Sequence, residues 1–121
     1  MKALIVDDSN VMRRIIINGL KELPNMEFLE AADGREAVET CNVENPGLVL
    51  MDWNMPNLPG LDAVKAIRSM GKTMPIIMVT TEAEKERVIL AMQCGANDYL
   101  IKPFTPADLQ AKVKSALSRF G

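Results

Sequence analysis

Three carboxylates, one hydroxyl and one ammonium group each stand at the end of a short run of apolar residues. These residues are Asp7, Asp8, Asp52, Thr80 and Lys102. If the apolar runs are parallel strands of one sheet, their carboxyl ends share an edge, and the five side chains converge there. The sequence therefore predicts a polar site at one end of an otherwise apolar sheet.

The residue types predict which chemistry this site would perform. Three neighbouring carboxylates repel one another and raise each other's pKa, so such a cluster needs a cation. Because all of its ligands are hard oxygens, Mg²⁺ is the expected occupant. A carboxylate beside Mg²⁺ and a lysine can act as a nucleophile toward phosphorus, and phosphoryl transfer depends mainly on positioning and charge neutralisation. Formation of an aspartyl phosphate is the reaction that suits this set of groups.

Five apolar runs alternate with five segments whose apolar residues recur at helical spacing. The predicted strands are 3–6, 27–31, 48–51, 75–80 and 98–101, and the predicted helices are 11–23, 33–41, 61–70, 84–94 and 105–120. Strands that are apolar throughout and alternate with helices favour a parallel sheet covered on both faces, which is a three-layer α/β sandwich. The second strand is followed only by alanines, which is typical of a strand at the rim.

Two helix starts carry clear capping signals. Thr105 is the predicted N-cap of the last helix, with Pro106 at the first helical position and Asp108 three residues after the cap. Asp33 and Glu36 have the spacing of a capping box at the start of the second helix.

Composition excludes several classes of function. The chain has 121 residues and no histidine, which rules out Ser-His-Asp and Cys-His catalysis, an HExxH zinc site and a phosphohistidine on this chain. A net charge of −2 argues against nucleic-acid binding, and no apolar stretch approaches a membrane span. Cys41 and Cys94 form no metal or redox motif. We therefore expect one cytoplasmic, monomeric domain covering residues 1–121.

Four stretches resemble the receiver domains of bacterial two-component signalling. They are LIVDDS, LVLMDWNMPNLPGLD, IIMVTTE and GANDYLIKPF, and they occur in the family's order and spacing over essentially the whole chain. The combination of DWNMP and KPFT is most similar to the stand-alone chemotaxis members of that family. The resemblance implies a flavodoxin-like fold with a five-stranded parallel sheet in the order 2-1-3-4-5.

The resemblance also implies roles for the acidic residues. Asp52 would be the phospho-acceptor, Asp8 would bind Mg²⁺ directly, and Asp7 would help through water. The backbone carbonyl of Asn54 would complete the protein's share of the metal ligands. The side chains of Asn54 and Glu82 would face the hydrolytic water and tune the lifetime of the phosphate.

Further residues would transmit the modification. Thr80 would bond a phosphoryl oxygen through its hydroxyl, and Lys102 would pair first with Asp52 and then with the phosphoryl group. Tyr99 would be the aromatic side chain that turns inward when Thr80 moves. The Lys102–Pro103 peptide bond would be cis, which X-Pro bonds tolerate far better than others.

These roles imply a signalling function in which the domain is not an ordinary enzyme. The phosphodonor would be a histidine kinase, and the domain would catalyse only its own phosphorylation and dephosphorylation. Phosphorylation would change the face formed by helix 84–94, strand 98–101 and helix 105–120. That face would bind a target protein such as the flagellar motor switch, and a phosphatase would be a further partner.

Three alternatives remain open from the sequence. The first is a single-domain phosphorelay intermediate that passes the phosphoryl group onward. The second is a Mg²⁺-dependent phosphatase with an aspartyl-phosphate intermediate, although Asn54 stands where such enzymes usually carry an acidic residue. The third is a flavodoxin-like binding module, although the acidic stretch DDSN after the first strand would repel a phosphate in the absence of a metal.

Overall fold

The computed structural model describes residues 1–81 and 84–121, in which strands and helices alternate strictly. The strands are β1 (Lys2–Val6), β2 (Glu27–Ala31), β3 (Leu48–Met51), β4 (Ile76–Thr80) and β5 (Asp98–Ile101). The helices are α1 (Asn10–Leu20), α2 (Gly34–Glu44), α3 (Gly60–Ser69), α4 (Lys85–Gln93) and α5 (Pro106–Phe120).

The five strands form one parallel sheet in the order β2-β1-β3-β4-β5. This confirms the three-layer α/β class and the order 2-1-3-4-5, with β2 at an edge as expected. The order reverses between β1 and β3, and the carboxyl ends of these two central strands therefore flank the crevice where ligands bind in doubly wound folds.

Alternate residues of the central strands enter two separate apolar layers. On β1, Leu4 and Val6 pack on the side of α2 and α3, whereas Ala3 and Ile5 pack on the side of α1 and α5. These four side chains are at most 1% exposed, which explains why the strand is apolar throughout. Helix α4 lies on the same side of the sheet as α2 and α3. Among its described residues Ala91 alone is buried, so it buries fewer side chains than α2 or α3.

Two predicted helix ends are wrong by three residues. The first helix ends at Leu20 rather than 23, because Pro24 disfavours helical geometry in the residue before it. The second helix continues past 41 to Glu44 and ends where Asn45 adopts a left-handed conformation with φ of 49°. Every other predicted boundary lies within one residue of the structure.

The two capping predictions have different outcomes. Thr105 and Asp108 form the complete capping box, with Pro106 in the first turn of α5. At α2, the Asp33 side chain accepts the Glu36 N–H at 2.8 Å as expected. The Glu36 carboxylate, however, accepts from the N–H of Ala32 at 3.4 Å instead of closing the box on Asp33.

Gly60 allows the loop after β3 to fold back tightly against the end of that strand. Its N–H donates to the carbonyl of Trp53 at 2.8 Å. A Cβ atom at this position would stand 2.0 Å from the backbone oxygen of Asp52 and 3.0 Å from the Cα of Trp53. Because these are backbone atoms, a side chain could be accommodated only by moving the loop that carries Asp52.

We expect Gly60→Ala to lower the free energy of unfolding by roughly 3 kcal/mol, because overpacking against backbone cannot relax by rotamer changes. Urea denaturation measures the loss. Gly47→Ala is the matched control, since a Cβ there would meet only the flexible end of Met1 at 3.1 Å. The control should lose less than about 1 kcal/mol. Equal losses in the two variants would contradict the close approach at Gly60.

Candidate functional site

The three carboxylates predicted from the strand ends do come together. Asp7, Asp8 and Asp52 each place one carboxylate oxygen so that all three atoms lie within 4.8 Å of one another. The Asp7 N–H donates to the carbonyl of Ala31 at 3.1 Å, and the Asp52 N–H donates to that of Val6 at 2.9 Å. The ladder of the sheet thus continues one residue past the strands and fixes the backbone of two members of the cluster.

Lys102 supplies a positive charge between two of these carboxylates. Its Nζ lies 2.9 Å from Asp7 Oδ2 and 3.4 Å from Asp52 Oδ1. The predicted pairing of Lys102 with Asp52 is therefore present, but the shorter contact is to Asp7. The backbone N–H of Lys102 donates to the carbonyl of Thr80 at 2.8 Å, and the Lys102–Pro103 bond is cis as expected.

Burial distinguishes the three carboxylates. Asp7 is 2% exposed and Asp52 is 8% exposed, whereas Asp8 faces solvent. Burial raises the pKa of Asp52 above its ordinary value, and the neighbouring Asp7 raises it further, while Lys102 and the N–H of Trp53 oppose the shift. The site therefore holds a carboxylate, Asp52, whose charged form is destabilised by its surroundings.

The donor set fits a divalent cation that prefers oxygen. Among the described residues, three carboxylates face one ammonium group, so this cation compensates only part of their negative charge. The ligand atoms are all carboxylate oxygens, which Mg²⁺ prefers, and one member of the set is open to solvent so that bound waters can be retained. Asp7, Asp8 and Asp52 are the side chains that could hold such an ion.

Trp53 connects the site to the neighbouring elements. Its N–H donates to Asp52 Oδ1 at 2.8 Å, and its ring is 5% exposed. The ring meets that of Tyr99 edge-on, with centroids 6.3 Å apart and an interplanar angle of 70°. The guanidinium carbon of Arg87 on α4 lies 5.5 Å from the Trp53 centroid, within range of a cation–π contact.

Three of the remaining predicted residues lie in the described part of the chain, and they differ in burial. Thr80 ends β4 and is 1% exposed, and Tyr99 on β5 pairs in register with Met78 and is 7% exposed. Tyr99 is thus buried in this structure, and its inward turn with Thr80 stays a prediction. Asn54 lies two residues after Asp52 and is exposed, whereas Glu82 lies outside the described residues.

One residue of the site was missed from the sequence. Arg13 belongs to the basic stretch MRR, which the sequence alone suggests is a solvated helix face. In the structure its side chain is only 11% exposed, and it donates to the carbonyl of Asp7. A signal was available, because a cation close to a helix N-terminus opposes the helix dipole and requires a compensating partner.

The fold and this site define a class of protein. Residues 3–114 match the family described as the response regulator receiver domain, and the chain belongs to that family. It is a phosphorylation-activated signalling domain of a two-component system, and the phosphorelay and phosphatase alternatives are not favoured. This confirms the resemblance found in the sequence.

Several proteins named as chemotaxis proteins are similar to this chain over most of its length. The chain is 49% identical to the chemotaxis protein CheY1 of Helicobacter pylori, over 97% of both chains. It is 48% identical to the CheY homolog of Campylobacter jejuni, over 97% of this chain and 92% of that one. The solved structure of Vibrio cholerae CheY4 superposes with a TM-score of 0.88 at 34% identity, covering 95% of this chain and 97% of that chain.

The response regulator domain of Thermotoga maritima CheB is also similar. Its TM-score is 0.86 at 33% identity, covering 98% of this chain and 96% of that chain. The chain is thus closely related to CheY proteins and shares its fold with receivers of other names. In the described part of the chain, no helix is both long and apolar enough to cross a membrane.

The raised pKa of Asp52 predicts how stability depends on pH in the absence of metal. The folded state keeps the Asp52 proton to a higher pH than the unfolded state does, so stability falls as pH rises from about 3.9 through the folded pKa. Asp52→Asn removes this pH-dependent loss of stability, and Lys102 keeps Asp7 as its partner in the variant. We expect the variant to gain on the order of 1 kcal/mol at pH 7 and to match wild type near pH 3.

Urea denaturation across this pH range, with a chelator present, measures the difference. Asp62→Asn is the control, because Asp62 is exposed in the first turn of α3 and should change stability by less than about 0.5 kcal/mol. An Asp52→Asn variant that is less stable than wild type at neutral pH would contradict a destabilised charge at Asp52, whose causes are burial and the neighbouring Asp7.

Proposed function

We propose that Asp52 is the phospho-acceptor and that Asp7, Asp8 and Asp52, with the backbone carbonyl of Asn54, hold Mg²⁺ beside it. The observation that carries this proposal is the group of three carboxylates within 4.8 Å of one another, with Lys102 against two of them. The donor would be the phosphohistidine of a histidine kinase. Bound Mg²⁺ would neutralise the charge of the incoming phosphoryl group.

The hydrogen bonds around Asp52 support one of its oxygens as the nucleophile. Within residues 1–81 and 84–121, the donors that reach this carboxylate are the Trp53 N–H and Lys102 Nζ, and both bond Oδ1. Oδ2 is the oxygen left to form the bond to phosphorus, while the nitrogen–phosphorus bond of the donor breaks and its imidazole leaves with the electron pair. Lys102 stays within reach of the charge that develops on the phosphoryl oxygens.

The output is proposed to be a change in the face formed by α4, β5 and α5. The proposed switch residues are Thr80 and Tyr99, which are both buried, and the Tyr99 ring contacts that of Trp53. On the same face, Ile89, Leu90 and Ile101 are large apolar side chains that remain substantially exposed. Phosphorylation would shift an existing equilibrium of this face toward the form that binds a target.

The relatives support chemotaxis as the process served. Two of them that match nearly the whole chain are named as chemotaxis proteins, so a flagellar motor component is the proposed target. A phosphatase is proposed as a further partner, with Asn54 and Glu82 tuning the domain's own dephosphorylation. We propose that the chain is a single monomeric receiver, residues 1–121, acting in the cytoplasm. Its two cysteines form no disulfide, which suits a reducing compartment.

We expect acetyl phosphate to phosphorylate the wild-type protein only when Mg²⁺ is present, because three negative charges otherwise face the incoming group. Intact-mass spectrometry detects the adduct. Trp53 emission reports it in real time, since the N–H of this residue bonds the acceptor carboxylate. Asp52→Asn should retain part of the Mg²⁺ response and lose the acetyl phosphate step. Acid-labile phosphate on this variant, or transfer with the metal chelated, would refute the assignment.

The two remaining carboxylates should contribute unequally to Mg²⁺ affinity. Asp7 is already paired with Lys102 at 2.9 Å, whereas the exposed Asp8 is assigned the direct bond to the ion. We expect Asp8→Ala to weaken Mg²⁺ binding by at least ten-fold and Asp7→Ala to weaken it less. Isothermal titration of both variants gives the order. Equal losses would mean that the direct and water-mediated ligands have been confused.

A further inference from the structure

Arg13 makes an unusual set of contacts for a residue on the first turns of α1. Its Nη1 donates to the carbonyl oxygen of Asp7 at 2.5 Å, and its Nε donates to Glu30 Oε1 on β2 at 2.9 Å. Its Nη2 donates to the side-chain oxygen of Asn10. The guanidinium group therefore joins β2, the start of α1 and the loop between β1 and α1.

The acceptor that matters is the carbonyl of Asp7, because it belongs to the peptide unit that carries Asp8. Holding the carbonyl restricts the rotation of this planar peptide, and the peptide's orientation sets the position of the Asp8 Cα, from which the carboxylate projects. The side chain of Asp7 is held independently of Arg13, since Oδ1 accepts the Ser9 N–H at 2.9 Å and Oδ2 contacts Lys102. The exposed carboxylate of Asp8 is the one whose direction follows from the peptide that Arg13 holds.

Arg13 lies near the carboxylate cluster but pairs with a carboxylate outside it. Among the described residues, its ion pair is with Glu30, and none forms with the side chains of Asp7, Asp8 or Asp52. Arg13 can therefore remain in place when a cation binds, whereas a guanidinium aimed at these carboxylates would compete with the ion.

We propose that Arg13 is a positioning residue for the metal: it holds the Asp7–Asp8 peptide so that the Asp8 carboxylate points at the Mg²⁺ position. The inference rests on the proposed metal site and extends it to a residue outside the ligand set. It predicts an effect opposite in sign to simple electrostatics. Removing a cation near three carboxylates should by charge alone strengthen Mg²⁺ binding, whereas loss of positioning should weaken it.

Mg²⁺ affinity measured by isothermal titration at fixed ionic strength tests the proposal. We expect Arg13→Ala to bind Mg²⁺ about ten-fold more weakly than wild type. Arg14→Ala is the matched control, because it removes the same charge from the next, exposed position of α1. The control should bind at least as tightly as wild type. Unchanged or tighter binding in Arg13→Ala would overturn the proposal.

A second variant keeps the test valid if Arg13→Ala does not fold. Arg13→Lys retains the charge, but an ammonium group cannot bridge Asp7 and Glu30 as the planar guanidinium group does. This variant should therefore also weaken Mg²⁺ binding. Wild-type affinity in Arg13→Lys would show that charge suffices and would overturn the proposal. Nitrogen-15 NMR adds a spectroscopic readout, because the Asp8 amide resonance should shift in both variants in the absence of metal.

A double-mutant cycle separates positioning of Asp8 from general destabilisation. Once Asp8→Ala has removed the carboxylate, Arg13→Ala should cause less than a two-fold further loss of Mg²⁺ affinity. Fully additive losses would overturn the proposal. Failure of the metal site itself is distinguished by the wild-type titration: no Mg²⁺ binding there refutes the proposed function, whereas wild-type binding with an unaffected Arg13→Ala variant refutes only the role of Arg13.

Discussion

Repulsion among Asp7, Asp8 and Asp52 is the constraint on which the site depends. Two of these carboxylates are nearly buried, and their backbones are held by the ladder of the parallel sheet, so they cannot move apart. Lys102 compensates part of the charge, and burial, with Asp7 beside it, still holds the pKa of Asp52 above its ordinary value. The protein thus keeps an unfavourable arrangement that a bound divalent cation would relieve, at a cost in stability.

The closeness of these carboxylates also explains why hydrogen bonds hold the loops that follow β1 and β3. The loop after β3 turns back through the Gly60 N–H, and the loop after β1 is held by Arg13 through the Asp7 carbonyl. A carboxylate that repels its neighbours keeps its position only where other contacts fix the backbone that carries it. Trp53 links the site to other elements, because its N–H bonds the Asp52 carboxylate while its ring contacts Tyr99 and Arg87.

Much of the site could be predicted from the residues that end the strands. Parallel strands joined by helices bring their carboxyl ends to one edge whatever the details of packing, so Asp7, Asp8, Asp52 and Lys102 could be expected together. Pairing between Lys102 and Asp7 could not be expected, because the choice between two carboxylates depends on distances of a few tenths of an ångström. Arg13 was missed for a related reason: the sequence does not show that β2 places Glu30 beside it.

The sequence by itself determined the α/β alternation, the N-caps Asp33 and Thr105 and the chemistry of the strand ends, since each depends on neighbours along the chain. The ends of two helices were wrong where a left-handed asparagine or a following proline decided them. Only the tertiary structure decided which side chains of different elements contact one another, such as Trp53 with Tyr99 and Arg87. Those contacts join residues far apart in the chain, and their geometry follows from the packing of whole helices against the sheet.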